Sequence, residues 1–158
     1  MVRTYDRLAI LVLLSAGLLG APAARADSSA NENAVMAANA AFYVALNSRD
    51  AAAMAKVYAH EAYVVNVTPR SAAPAIGWPA VDKWSQDQSV VFKQLTVVPS
   101  DPHVRVNGNT AWVIELEHGT GTVKDGATFD QKLISTNIYE KHGGAWLMVS
   151  HQAQATPK

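Results

Sequence analysis

After Leu95 the apolar residues change their spacing, and that change limits the folds open to the chain. Before it, Val35, Ala38, Phe42 and Leu46 recur at three- and four-residue steps, the stripe of a helix that faces a core. Beyond it, apolar and polar residues alternate to the end of the chain, the period of strands with two different faces. Helices first and strands last, without regular alternation of the two, make an α+β plan with helices gathered on one face of an antiparallel sheet. The spacing predicts helices over 33–47, 51–59 and 79–92. Asp50 caps the second, and Pro79 sits in the first turn of the third, where its missing N–H is not needed. One strand, Tyr63–Val67, falls among them. Later strands are expected over 94–106 (interrupted and bent at Pro99 and Pro102), 110–118, 128–139 and 145–153. Asn107-Gly108 and Gly143-Gly144 are turn signals, and 119–126 reads as a loop.

The first 26 residues do not share this pattern. Arg3 and Arg7 precede an apolar run from Leu8 to Leu19, too short to span a bilayer, and Ala24-Arg25-Ala26 has the small-x-small form of a cleavage site. The segment 1–26 is therefore expected to be a secretory signal cut after Ala26, and the product to be periplasmic or secreted. Residues 27–32 are expected to be a frayed polar lead, 33–154 a single domain, and 155–158 a tail. Processing removes three arginines and Asp6, which takes a formally neutral chain to a net charge of about −2. No basic stripe remains for nucleic acid and no polybasic segment for a membrane surface. The chain has no cysteine, which excludes thiol nucleophiles, thiolate metal sites and disulfides.

Four stretches in order, FYVALNSRDAAAMAKVYAHEAYVV, GWPAVDKW, VNGNTAWV and IYEKHGGAWLMVSHQA, resemble the nuclear-transport-factor-2-like superfamily. More narrowly, they resemble its SnoaL-like and ketosteroid-isomerase-like domains. The resemblance covers about residues 33–154. It implies a cone-shaped fold: three N-terminal helices packed on a strongly curved, mostly antiparallel sheet, with a pocket at the open end. It also implies a homodimer formed through the outer sheet face. The superfamily holds enzymes, ligand-binding domains and assembly domains, so the fold alone does not assign an activity.

The catalytic groups of ketosteroid isomerases would fall on Asn66, Phe42 and Thr136, none of which is the residue that chemistry needs. A neutral amide in particular cannot serve as a general base. By strand parity Asn66 shares a face with Val64 and Thr68, which makes it either a pocket hydrogen-bonder or a partner for a loop backbone. Tyr63, Asn66, Trp84, Thr136 and Gln152 are the expected pocket residues. The expected parity of 110–118 points Trp112, Ile114, Leu116 and His118 inward, and Glu115 and Glu117 to solvent. His118 and His151 are the candidate catalytic groups, although Trp146 parity in the last strand selects Ser150 and Gln152 over His151. No histidine or carboxylate has a recognised zinc spacing, and Gly119, Gly121 and Gly126 precede no helix that could hold a phosphate, so no metal and no cofactor are expected.

With no carboxylate expected inside, the first reading is an exported module that binds a small apolar or amphipathic molecule. The alternative is a histidine-dependent lyase or isomerase. The second alternative is a dimeric assembly domain for a protein partner. The enzyme reading requires His118 or His151 inside the cavity within hydrogen-bond reach of a Tyr or Asn.

Overall fold

A computed structural model describes residues 21–157. The apolar run Leu8–Leu19 lies outside them, as does most of the segment expected to be a signal. Among the described residues no helix is long and apolar enough to cross a membrane.

Three helices and six strands follow in the order α1 (Ala21–Ser48), α2 (Ala51–Ala55), β1 (Val65–Val67), β2 (Ala75–Ile76), α3 (Trp78–Val91), β3 (Phe92–Asn107), β4 (Thr110–Val123), β5 (Thr128–His142) and β6 (Ala145–Ala155). The strands form one curved sheet in the order β2-β1-β6-β5-β4-β3. Every neighbouring pair is antiparallel except β1 with β6. That parallel pair brings Asn66 beside His151, joining the first strand to the last.

Helix α1 starts earlier than its apolar stripe and runs through 27–32, where the sequence suggests fraying. Its buried residues are Val35, Asn39, Phe42, Tyr43, Ala45 and Leu46, so two polar side chains ride on the apolar face. Ser48 and Arg49 end it, with Arg49 at φ 56°, and Asp50 caps α2 by accepting from the Ala52 amide at 2.8 Å. Helix α3 begins after Gly77, whose φ of 83° favours glycine. It buries Val81, Ser85 and Gln88. The core joins Phe42, Met54, Tyr58, Val64, Val81 and Met148 from α1, α2, α3, β6 and the connection between α2 and β1. Each such side chain contributes about 1.5–3 kcal/mol on burial.

The strands are longer than the sequence suggests. β3 is one strand that shifts register between Ser100 and His103, around Asp101 at φ 53°. The glycines of 119–121 lie within β4 rather than in a loop: Gly119 pairs with Gln131 and Gly121 with Phe129. A β-carbon on Gly121 would lie 2.6 Å from both the Gln94 carbonyl oxygen and the Phe129 ring, so only glycine admits this contact. β2, in the stretch between the expected first strand and third helix, extends the sheet edge by two residues.

Two parity expectations are reversed. In β4, Ala111, Val113, Glu115 and Glu117 are buried, while Trp112, Ile114 and Leu116 are exposed on the outer face at 37, 43 and 45 %. Alternation defines two faces but not which one is covered. In β6 a bulge supplies the reason: Tyr139 pairs with Met148 and Ile138 with Ser150, so Val149 is an extra residue. Trp146 and Met148 face inward before it, and His151 and Ala153 after it.

Candidate functional site

A pocket of about 410 Å³ opens between α3, the 68–75 connection and the inner face of the sheet. Its walls are largely apolar, with Leu46, Trp84, Val91, Leu95, Val97 and Leu133 among them. Two titratable side chains that are almost fully buried reach it, Glu117 from β4 and His151 from β6. Arg70 and Asp87 also border it; Arg70 is exposed and lies over the Phe92 ring at 5.6 Å.

Behind Glu117 and His151 runs a single buried hydrogen-bond network. Asn39 and Tyr43 stand one helical turn apart on α1 and meet Glu115 and Glu117, which are two residues apart on one face of β4. Asn39 Nδ2 donates to both oxygens of Glu115 at 3.0 Å. Asn137 Nδ2, on β5, lies 2.9 Å from Glu115 Oε1 and 2.9 Å from Asn39 Oδ1. The Tyr139 hydroxyl donates to that same Asn39 oxygen at 2.8 Å. Tyr43 Oη lies 2.6 Å from Glu117 Oε1, 2.8 Å from Glu115 Oε1 and 3.4 Å from Ser135 Oγ.

The network also sets the tautomer of His151. Asn137 turns its amide nitrogen to Glu115 and Asn39, so its Oδ1 faces His151 Nδ1 at 2.7 Å and must accept from it. Nδ1 therefore carries the hydrogen. Burial holds the ring's pKa below its ordinary value of 6.5, against the opposing pull of Glu117. The ring is neutral at pH 7, and Nε2 keeps a free lone pair on a residue that lines the pocket. Phe42 packs against it, ring centroids 4.9 Å apart, and fixes its plane. Burial likewise pushes the Glu115 carboxyl above the usual carboxylate range, although Tyr43, Asn39 and Asn137 pull it back.

The expected site residues divide. His151 and Trp84 line the pocket. Asn66 is fully buried beside His151; its Oδ1 accepts from the Tyr58 hydroxyl at 3.2 Å and its Nδ2 has no partner among the described residues. It bonds a core tyrosine rather than a loop backbone. Thr136 and Gln152 are cross-strand neighbours on the outer face, away from the pocket. Tyr63 is half exposed and donates to Glu140 at 2.6 Å. His118 also faces outward, its Nε2 2.9 Å from Asp130 on the exposed outer face, and it is not among the residues that line the cavity. Asn39, Tyr43, Glu115 and Glu117 are members of the site outside the expected set, the two glutamates because parity pointed them to solvent. Two polar residues on the α1 stripe were the available signal, since a buried Asn and Tyr must face polar partners. No three histidine or acidic side chains among the described residues converge as a metal site.

A curved, mostly antiparallel sheet closed by helices around a pocket is the architecture of a nuclear-transport-factor-2-like domain. The model of the SnoaL-like domain family matches residues 35–155, and the chain belongs to that family. Among solved structures, the chain is similar to a protein named as a dehydratase of the NTF2-like family from Streptomyces avermitilis (TM-score 0.74, 21 % identity, 82 % of this chain and 99 % of that one). It is also similar to an NTF2-like superfamily protein from Salmonella enterica (TM-score 0.75, 16 % identity, 82 % and 94 %). A third is named as an aromatic ring hydroxylase from Novosphingobium aromaticivorans (TM-score 0.74, 14 % identity, 82 % and 92 %). At such identities the likeness is one of fold. No curated protein matches the sequence.

Proposed function

We propose that the chain binds a small, mainly apolar organic molecule in this pocket and moves a proton on it, as a lyase or isomerase with His151 as general base. One observation carries the reading: a buried imidazole that lines an apolar cavity is bonded to Asn137 through Nδ1, which leaves its Nε2 without a hydrogen-bond partner among the described residues. The sequence favoured binding alone because no carboxylate was expected inside. That premise fails with Glu115 and Glu117 buried, and His151 meets the requirement set for an enzyme.

The fitting substrate is a carbonyl compound with an acidic neighbouring C–H. Nε2 takes that proton, the C–H electron pair forms a double bond to the carbonyl carbon, and the carbonyl π pair moves onto its oxygen. In an isomerase the proton returns at another carbon. In a lyase the electron pair expels a β-oxygen, which takes a proton and leaves as water. The apolar walls exclude water from the charged transition state. With the leader read from residues 1–26, the proposed place of work is the periplasm or the cell exterior, and the proposed working form is a homodimer through the outer sheet face.

The test is deuterium incorporation. The chain is incubated in D₂O with a panel of small cyclic ketones, enones and β-hydroxy ketones, with exchange followed by proton NMR and binding by thermal shift. Wild type should bind a member and exchange its α-hydrogen. His151→Gln should still bind but exchange roughly 10²–10⁴-fold more slowly, the usual worth of a positioned base. Binding without exchange in wild type would leave a binding module instead.

A further inference from the structure

The Tyr43 hydroxyl has one proton and two carboxylate neighbours, Glu117 Oε1 at 2.6 Å and Glu115 Oε1 at 2.8 Å. It can donate to only one. With both glutamates ionised, the other contact would set two oxygen lone pairs against each other between two almost fully buried carboxylates. One added proton removes the conflict. A protonated carboxyl then donates to Tyr43 Oη, and Tyr43 donates onward to the second carboxylate.

The surroundings favour one negative charge over two. Asn39 from α1 and Asn137 from β5 already donate to Glu115, Ser135 lies 3.4 Å from Tyr43, and Tyr139 donates to Asn39. The imidazole of His151 from β6 is neutral and bonded to Asn137. Among the described residues no lysine or arginine takes part in the network, so none of their cations offsets a second buried charge. Two like charges bridged at this range ionise one at a time, as a pair.

We infer that Glu115 and Glu117 share one proton through Tyr43 at neutral pH, and that Glu117, the member of the pair that lines the pocket, hands that proton to an oxygen of the bound molecule. Glu117 is then a catalytic acid opposite the base His151, while Tyr43 and Glu115 are positioning residues that refill it. The count balances in either arrangement. The substrate oxygen gains one proton, the pair loses one and becomes doubly ionised, and the proton taken up by His151 or one from solvent restores it. This deepens the acid–base reading of the pocket and rests on it for the delivery step.

The resting protein tests the shared proton without any substrate. Glutamate carboxyl carbons are labelled with ¹³C and their shifts followed by NMR from pH 4 to 9 in wild type, Glu115→Gln and Glu117→Gln. A glutamine amide mimics the protonated acid, so both variants keep a donor for Tyr43 and should fold. Wild type should show one carboxyl still protonated at pH 7, and neither variant should show any. Two ionised carboxyls in wild type would overturn the inference, even if turnover is found. A protonated carboxyl that persists in Glu117→Gln would also overturn it, since the proton would then belong to Glu115 alone. Delivery is read on a β-hydroxy ketone found by deuterium exchange, where the proton goes to the departing β-oxygen: Glu117→Gln should lose elimination yet keep α-hydrogen exchange. Unchanged product formation would refute the acid role while leaving His151 as base.

Discussion

Asn137 is the residue on which the site turns, because one amide reads three neighbours at once. Its nitrogen serves Glu115 and Asn39, and its oxygen is thereby left to fix the His151 tautomer. A histidine buried in this way has a sign that can be measured. Its folded pKa lies below 6.5, so the native state binds fewer protons than the unfolded state as pH falls through that value. Stability is full above about 6.5 and is lost progressively below it. Glu115 has the opposite sign: its raised pKa makes the native state the better proton binder, and stability falls as pH rises above the ordinary 4.5. Urea unfolding at pH steps between 8 and 5.5 should show wild type losing stability toward acid relative to His151→Gln, because the opposing Glu115 contribution is common to both proteins. An equal slope in the variant would mean that the ring is not held neutral by its surroundings.

At the scale of elements, the sequence carried the order of helices and strands apart from the two-residue β2, the Asp50 cap and both hairpin turns, because each rests on local spacing or local chemistry. It did not carry which face of β4 is covered. Trp112, Ile114 and Leu116 outweigh Ala111, Val113, Glu115 and Glu117 in hydrophobicity, and a parity argument gives the heavier face to the core. Asn39 and Tyr43 on α1, some 70 residues away in sequence, decide otherwise by supplying partners for the carboxylates. The bulge at Val149 was likewise invisible, since nothing local marks an extra residue that only the pairing with β5 reveals. The long β4 was hidden by its glycines, which read as a loop but serve close packing. Here paired substitutions give a sharp contrast. A β-carbon on Gly119 would make ordinary contacts at 3.8–3.9 Å, whereas one on Gly121 would meet the Gln94 carbonyl oxygen at 2.6 Å. Gly119→Ala should change stability by less than about 0.5 kcal/mol, in the range of a substitution without a clash. Gly121→Ala should cost about 1–3 kcal/mol, the usual range for overpacking. It should also weaken ligand-induced thermal shifts, because Phe129 is displaced from the pocket wall. Equal urea midpoints for the two variants would show that β3 and β5 separate freely at this point.

For the whole molecule, the polar interior and the apolar exterior of β4 are two sides of one strand. The inner side spends burial on Glu115 and Glu117, while the outer side leaves Trp112, Ile114 and Leu116 exposed beside Ile134 and Val98. Leu116 pairs directly with Ile134, and Ile114 with Thr136, so these side chains form one patch across β4 and β5 rather than isolated positions. A patch of this kind is unusual on a lone soluble domain and is the expected form of an interaction surface. The proposed occupant is a second copy of the chain, in agreement with the homodimer that the sequence resemblance implies. A two-fold contact is isologous, so any substitution in it acts twice. Leu116→Glu would place two new carboxylates against the partner's apolar face and remove the Leu116–Ile134 pair in both copies. Because Leu116 points away from the pocket, the monomer should keep its fold, and circular dichroism should be unchanged. Sedimentation velocity at micromolar concentration should give a dimer for wild type and a monomer for Leu116→Glu. A monomeric wild type would instead leave the outer face to a different partner. If the dimer holds, the partner seals the back of the strand that carries both glutamates, and Leu116→Glu should lower the unfolding midpoint in a concentration-independent way while wild type becomes more stable as its concentration rises.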